Sequence, residues 1–247
     1  MVKLEDVSKT YGQRIALAPT TLEFGGERTT VLIGPSGCGK STLLRMIVGL
    51  VRPDTGRVLI DGQSLTRHNV NELRHAIGYV IQDGGLFPHL TARANVTLLA
   101  NHLGRRVAEI EERVMALAKL VRIPTDALAR YPQQLSGGQR QRIGIMRALM
   151  LDPPLLLFDE PLGALDPVTR YELQAELKSI FDTLAKTVVL VTHDMGEAAY
   201  FGDEIIMMRE GRIVQRGTLT EMRDKPAEPY VIDFIRAQRL AGPEIHT

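Results

Sequence analysis

Short apolar runs alternate with turn-forming residues over the first third of the chain, a pattern typical of β-strands. The runs are separated by turn signals at Gly25-Gly26, Pro53-Asp54-Thr55-Gly56 and Asp61-Gly62. The pattern predicts strands at 3–11, 20–24, 29–34, 57–60 and 76–81. One helix is predicted to interrupt them, from residue 40 to about residue 50, because apolar residues recur there at helical spacing.

The rest of the chain alternates helical and extended patterns. Helical periodicity predominates over 91–130, which looks like an insertion that packs as its own lobe. Asp166 suits the N-cap of a long helix, and Pro167 suits its first position. Further elements are predicted as helices at 137–150 and 167–186 and strands at 155–158, 188–192, 205–208 and 212–215. Strands that alternate with helices at these lengths indicate an α/β fold with a mostly parallel sheet.

The residues between the predicted strand at 29–34 and the helix after it match a phosphate-binding loop, Gly34-Pro35-Ser36-Gly37-Cys38-Gly39-Lys40-Ser41. Three glycines let the backbone wrap so that several N–H groups point at the phosphates. Lys40 and the positive end of the helix add charge there, and the Ser41 hydroxyl is a ligand for Mg²⁺. The alternative is a chance Gly-rich turn, which the flanking strand and helix disfavour.

A buried strand that ends in two acids supplies the second candidate. Asp159 and Glu160 follow the apolar run 155–158, at the strand end where active sites of open α/β sheets lie. We expect Asp159 to hold Mg²⁺, directly or through water, and Glu160 to orient and polarise the attacking water. The alternative for Glu160 is a surface acid that merely follows a strand.

A histidine ends the next buried strand. His193 follows the apolar run 188–192 and is predicted to reach the same edge of the sheet. A lone histidine is more often an ordinary core residue than a catalytic one. With a phosphate loop on the same edge, a contact to the γ-phosphate is the favoured interpretation.

A second anion site is predicted at the start of another helix, at Leu135-Ser136-Gly137-Gly138-Gln139. Ser136 and Gln139 form the Ser-x-x-Gln capping box. The two glycines leave the helix start bare, so that its N–H groups and dipole can meet a phosphate, although a helix start without an anion would look much the same. Because the predicted helical lobe separates it from Lys40, we expect it to bind the nucleotide of a partner copy.

These motifs, in this order, resemble those of the ATP-binding cassette (ABC) family from about residue 3 to residue 235. The resemblance implies that Tyr11 stacks on adenine, unless it is an ordinary strand aromatic. Gln82 corresponds to the Q-loop glutamine that reaches Mg²⁺ and the water, unless it merely ends a strand. Asp166 corresponds to the D-loop aspartate that crosses to the partner's site, and it can also be a simple helix cap. His193 corresponds to the switch histidine.

The resemblance implies four sets of site residues. The catalytic residues are Lys40, Gln82, Glu160 and His193, and the Mg²⁺ ligands are Ser41, Gln82 and Asp159. ATP is expected to contact Tyr11, Gly34, Pro35, Ser36, Gly37, Cys38, Gly39, Lys40, Ser41, Thr42, Gln82 and Asp159. The partner's ATP is expected to contact Leu135, Ser136, Gly137, Gly138 and Gln139, with Asp166 in the D-loop.

The resemblance also implies the architecture of a P-loop NTPase cassette. We expect one ABC ATPase domain over 1–247, with an N-terminal antiparallel β-subdomain and a mostly parallel core sheet. A helical subdomain is expected as an insertion at about 86–155, and a β/α tail at about 203–247, with no regulatory domain after the cassette. Two copies are expected to close over two ATP molecules as a homodimer.

The amino-acid composition restricts the classes of partner and the compartment that are expected. The 30 Lys and Arg against 29 Asp and Glu give a net charge of +1, so no nucleic-acid partner is expected. The single cysteine, Cys38, fits a reducing compartment. No apolar run approaches the ~18 residues of a membrane span, and we expect no signal peptide. Any membrane role is therefore expected to come through a partner, and the resemblance implies a peripheral position on the cytoplasmic face of the membrane, through a permease.

The stretch 76–91 is similar to cassettes of importers for quaternary amines, the osmoprotectants glycine betaine, choline and carnitine. Residues 82–96 are expected to touch the permease, and a substrate-binding protein is expected beside it. Many cassettes of that kind carry paired regulatory domains, which are not expected here. An exporter subunit, an importer for another small solute, and a non-transport ABC ATPase acting on ribosomes or DNA are the alternatives, and the transported substrate is not encoded in these motifs.

Overall fold

The computed structural model describes residues 1–240, apart from the side chains of Asp83, Arg239 and Leu240. The chain divides into two units, one formed by residues 1–70 with the described residues from 187 onward, the other by residues 71–186. No helix in the described range is long and apolar enough to cross a bilayer. The predicted tail at 203–247 is described as far as Leu240, and residues 241–247 lie outside the described part.

The strands follow one another in the chain as β1 (Val2–Tyr11), β2 (Arg14–Phe24), β3 (Thr29–Ile33), β4 (Thr55–Ile60), β5 (Gln63–Ser64), β6 (Ile77–Val80), β7 (Leu155–Asp159), β8 (Thr187–Thr192), β9 (Glu204–Arg209) and β10 (Arg212–Gly217). The α-helices are α1 (Lys40–Ile47), α2 (Val70–Leu73), α3 (Ala92–His102), α4 (Val107–Leu120), α5 (Gly137–Leu149), α6 (Pro167–Leu184), α7 (Met195–Phe201), α8 (Leu219–Asp224) and α9 (Pro229–Leu240). Short 3-10 turns lie at Arg74–Ala76, Gln82–Gly85, Thr125–Ala129 and Pro132–Gln134.

The first unit opens with an antiparallel sheet in the strand order β2-β1-β4-β5. Strands β1 and β2 form a hairpin, and the pairing of Tyr11 with Arg14 closes the turn between them. Every second or third side chain of β1, at Val2, Leu4 and Val7, is buried. This one-sided burial is what an antiparallel sheet with one solvated face requires.

The same unit contains parallel strands that carry the phosphate loop. Strand β3 lies between β8 and β9 and pairs in parallel with both, with Ile33 opposite Thr192. All residues of β3 are buried, as expected for a strand covered on both faces. The following helix, α1, buries Leu43, Leu44 and Ile47 along one face. Strand β10 closes this side by pairing antiparallel with β9.

The second unit contains the two parallel strands β6 and β7, with Val80 opposite Phe158. Helix α6 packs Phe181 against Phe158, with 5.1 Å between the ring centroids. Helices α3, α4 and α5 belong to the same unit, and α3 and α4 fall within the stretch 91–130 predicted to be helical.

The predicted α/β class, with an antiparallel N-terminal sheet and parallel strands after it, is confirmed. Two boundaries, those of β2 and α1, differ from prediction by three residues or more. Strand β2 begins at Arg14 rather than residue 20, because it is an edge strand of its sheet and therefore tolerates Pro19, which has no N–H. Helix α1 ends at Ile47 rather than near residue 50, because Gly49 has a φ of 72°, which is incompatible with a continuing helix.

Candidate functional site

The phosphate loop connects β3 to α1 through three glycines with positive φ: 149° at Gly34, 75° at Gly37 and 111° at Gly39. A Cβ at Gly34 would lie 2.1 Å from the carbonyl oxygen of Met208, and one at Gly39 would lie 2.4 Å from that of Ala16. Neither position has room for a side chain, and the conformation itself favours glycine. The loop is therefore shaped by its glycines, as the sequence predicts.

Helix α1 begins without a capping side chain. Its N-cap, Gly39, makes no side-chain hydrogen bond, and its first turn contains no acidic residue. The first N–H groups of a helix have no partner inside the helix, and together with the helix dipole they favour an anion. The start of α1 is therefore arranged to accept a phosphate.

Lys40 lies inside the loop. Its side chain is buried, and Nζ donates hydrogen bonds to the carbonyl oxygens of Gly34 at 2.7 Å and Pro35 at 3.1 Å. The thiol of Cys38, which is also buried, lies 3.8 Å from the same Nζ. The loop thus holds a cation within the same turn as the N–H groups, where phosphate oxygens can replace its carbonyl partners.

Two supports of the loop are not evident in the sequence. Arg14 Nη2 donates to the carbonyl of Gly37 at 2.8 Å, from the hairpin that also carries Tyr11. Behind the loop, the N–H of Gly211 donates to the carbonyl of Cys38 at 3.0 Å. The only sequence signal for Arg14 is a basic residue next to the turn after the candidate adenine-stacking tyrosine.

Tyr11 is half exposed at the end of β1, and Lys9 Nζ lies 5.4 Å from the centre of its ring. A ring that is half exposed at a strand end can stack on a planar ligand, which a buried core aromatic cannot do.

His193 is exposed and directly follows β8. Because Thr192 pairs with Ile33 in parallel, His193 and Gly34 leave the sheet side by side. The backbone on both sides of His193 is fixed: Thr192 Oγ1 donates to the buried Glu197 at 2.5 Å, and Asp194 caps α7. The first unit therefore brings the histidine and the phosphate loop to one sheet edge, as predicted.

The second unit contains the other candidates. Gln82 follows β6, and Glu160 follows β7, so these two side chains also leave neighbouring parallel strands at one edge. Asp159 is buried, and the hydroxyl of Tyr79 lies 3.3 Å from its carboxylate. Glu160 has a φ of 50°, in the left-handed region that few residues with a side chain adopt.

The turn that contains Gln82 is attached to helix α5. Arg147 donates from Nη1 to the carbonyl of Gly85 at 2.8 Å and from Nη2 to that of Gly84 at 2.9 Å. Burial lowers the pKa of the Arg147 guanidinium, which nevertheless remains protonated in proteins. This fork of hydrogen bonds fixes the backbone that follows Gln82, and the sequence carries no local signal for it.

Helix α5 begins with the predicted capping box. Ser136 Oγ accepts from the N–H of Gln139 at 3.2 Å, and Gln139 Oε1 accepts from the N–H of Ser136 at 3.0 Å. The first turn contains no acidic residue. A Cβ at Gly138 would lie 2.6 Å from Thr169 Cγ2, so this glycine is required for close packing against α6.

Asp166 caps α6 by accepting from the N–H of Thr169 at 3.1 Å. Hydrogen bonds from the Thr169 side chain and N–H hold the pKa of this exposed carboxyl below its usual value. In the isolated chain, Asp166 therefore acts as a helix cap. A role in the D-loop would require a partner copy.

Comparisons with known proteins give the family. The family model described as ABC transporter matches residues 17–163. The glycine betaine/carnitine/choline transport ATP-binding protein OpuCA of Bacillus subtilis (strain 168) is 48% identical over 97% of this chain, which spans 63% of that protein's length. The sulfate/thiosulfate import ATP-binding protein CysA of Thermosynechococcus vestitus is 44% identical over 95% of this chain, and the match covers 69% of the length of CysA.

Among solved structures, the dimeric post-hydrolysis state of the ATP-binding cassette MJ0796 with ADP and Pi has a TM-score of 0.80 and 36% identity. The structural match covers 89% of this chain and 99% of the MJ0796 chain. The family match extends over more than half of the chain and includes the phosphate loop, Ser136 and Glu160. The chain therefore belongs to the ABC transporter family.

Proposed function

We propose that this chain is the ATP-binding and ATP-hydrolysing subunit of an ABC importer, and that it works as a homodimer. The observation that carries the proposal is a pair of helix starts without acidic residues, α1 after the phosphate loop and α5 after Ser136. One copy provides the first for its own nucleotide and the second for its partner's. A cassette of known structure to which this chain is similar was solved as a dimer.

Nucleotide binding is proposed to use the first unit. The N–H groups of the phosphate loop and the start of α1 hold the phosphates, and Lys40 exchanges its carbonyl partners for β- and γ-oxygens. Tyr11 stacks on the adenine. Arg14 keeps the loop in its conformation through the carbonyl of Gly37.

Hydrolysis is proposed to depend on positioning. Glu160 orients and polarises the attacking water, while His193 and Gln82 hold the γ-phosphate and the water in line. No group of three His, Cys, Asp or Glu that could hold a metal occurs among residues 1–240. The oxygens of Ser41, Gln82 and Asp159 suit Mg²⁺, which keeps few protein ligands and binds through phosphates. When bound with ATP, Mg²⁺ neutralises charge on the transferred phosphoryl group.

The partners are proposed to be membrane permease subunits and a substrate-binding protein, with the cassettes on the cytoplasmic face. OpuCA is named for transport of glycine betaine, carnitine and choline, so quaternary amines are the proposed cargo. A similar relative is named for sulfate and thiosulfate import, which makes another small solute the second candidate.

Glu160→Gln should retain ATP binding and lose turnover by roughly 10²-fold or more, because the water loses its general base. Steady-state phosphate release and nucleotide binding by fluorescence measure the two quantities. Glu27→Gln is the matched control, since Glu27 is exposed, has a φ of 53° and should not affect turnover. A Glu160→Gln enzyme that hydrolyses ATP at the wild-type rate removes Glu160 from the mechanism.

Arg14→Gln should weaken ATP binding about 3- to 10-fold, the effect of one charge-assisted hydrogen bond near the surface, without lowering the melting temperature. Isothermal titration with ATP measures this. Arg28→Gln, on an exposed arginine of the same unit, is the control. Unchanged affinity in Arg14→Gln would mean that the loop keeps its conformation without the Gly37 contact.

The shared site is tested by mixing two inactive variants, Lys40→Ala and Ser136→Arg. Each homodimer carries one lesion in both sites, whereas a mixed dimer collects both lesions in one site and leaves the other intact. Equal mixing leaves about a quarter of the sites intact under two-fold symmetry, so ATPase activity should return up to about that fraction. Ser179→Arg, on an exposed face of α6, controls for the added cation. If mixing restores neither activity nor ATP-dependent dimerisation, the two-fold shared site is wrong.

The proposed cargo is tested in cells that lack this chain. Uptake of labelled glycine betaine in hyperosmotic medium should fall, and it should return with the wild-type chain but not with Lys40→Ala. Loss of sulfate uptake with normal glycine betaine uptake would instead establish the second candidate. Loss of efflux rather than uptake would establish an exporter.

A further inference from the structure

Helices α5 and α6 touch at two points of the second unit, which together are called the α5–α6 contact. At the first point Gly138 lies so close to Thr169 that a Cβ would approach Cγ2 to 2.6 Å. At the second point Arg142 and Glu176 form a two-pronged ion pair, Nε to Oε2 at 2.9 Å and Nη2 to Oε1 at 3.0 Å.

The ion pair is nearly withdrawn from water, with the Arg142 side chain 13% exposed and the Glu176 side chain 10% exposed. Most other ion pairs described in the chain have at least one partner about 40% exposed or more, including Lys178–Asp182 on the same helix. A buried pair that satisfies both carboxylate oxygens is directional, because the planar guanidinium fork fits a carboxylate in one geometry. The pair therefore fixes an orientation in addition to holding two helices together.

The two points lie along one line of contact. Gly138 and Arg142 are four residues apart on α5, and Thr169 and Glu176 are seven apart on α6, so each pair shares a helix face. The two points are about 6 Å apart along α5, where four residues separate them, and about 10 Å apart along α6, where seven residues separate them. Two contacts at such separations fix the angle between the helices as well as their distance.

Both helices begin near this contact with the residues expected to reach another copy. Helix α5 starts at the Ser136 capping box, and α6 starts at Asp166. A rotation of one helix against the other would change the distance between these two starts. The buried fork of Arg142 and Glu176 opposes that rotation.

We propose that Arg142 and Glu176 are positioning residues, which hold the Ser136 helix start and the Asp166 segment at a fixed separation so that both meet the partner's ATP site together. The inference rests on the proposed function, because it requires a site shared between two copies. Arg142 and Glu176 belong to the second unit, whereas the phosphate loop belongs to the first, so we expect ATP binding by a single copy not to depend on the pair.

The experiment uses Glu160→Gln as the background, in which dimers should accumulate with ATP. Glu176→Gln keeps the shape of the side chain and removes its charge, and Arg142→Lys keeps the charge and removes the fork. Each should raise the ATP concentration for half-maximal dimerisation about tenfold, while the affinity of the monomer for a fluorescent ATP analogue changes less than about twofold. Asp182→Asn, which breaks the exposed pair on the same helix, should change neither.

The double variant Arg142→Met/Glu176→Leu separates positioning from stability. Replacing a buried ion pair by apolar residues often preserves stability. The proposal expects a near wild-type melting temperature with dimerisation still impaired, because the apolar contact does not fix the angle. If the double variant has both a wild-type melting temperature and wild-type dimerisation, the pair is purely structural and the proposal is overturned. Unchanged dimerisation in Glu176→Gln and Arg142→Lys would overturn it as well. If the parent Glu160→Gln protein forms no ATP-dependent dimer, the shared site fails first, and the proposal, which depends on it, fails with it.

Discussion

The first N–H groups of an α-helix have no partner within the helix, and whatever accepts from them decides what the helix start can bind. Helix α1 leaves them to a ligand, because its N-cap is a glycine without a side chain. Helix α5 satisfies only part of them through Ser136 and Gln139, and it carries no acid in its first turn. Helix α7 shows the contrast, since Asp194 caps it and Glu197 follows in the first turn. The charge and capping of a helix start, rather than the net charge of the chain, are what favour an anion at that point.

The parallel pairing of the strands brings the segments that follow them together at the edges of the sheet. Ile33 pairs with Thr192 in the first unit, and Val80 pairs with Phe158 in the second. Because parallel strands end on the same side, whatever follows each pair is delivered together: the phosphate loop with His193, and Gln82 with Glu160. The buried strands thus place the polar segments that follow them, and hydrogen bonds such as those of Arg14 and Arg147 hold those segments in their conformation.

The sequence predicts those features that depend on neighbouring residues. The strand before the phosphate loop, the capping box of Ser136 and the cap at Asp166 follow from local pattern, and each is confirmed. The contacts of Arg14 with Gly37 and of Arg147 with Gly84 and Gly85 are between residues far apart in the chain. The sequence does not show which group an arginine contacts, because an arginine side chain can equally well lie in solvent. Only the packing of the elements selects the carbonyl that it meets.

The two glycines after Ser136 show why one motif can contain two constraints. The sequence predicts that both leave the helix start bare. A Cβ at Gly137 would make an ordinary contact, 3.4 Å from Leu165 Cδ2, so packing does not require glycine there. A Cβ at Gly138 would collide with Thr169, so packing does require it. The approach of α5 to α6 therefore explains Gly138, whereas Gly137 has no such packing requirement. The same two helices carry Arg142 and Glu176, so the close approach at Gly138 and the buried ion pair belong to one helix interface.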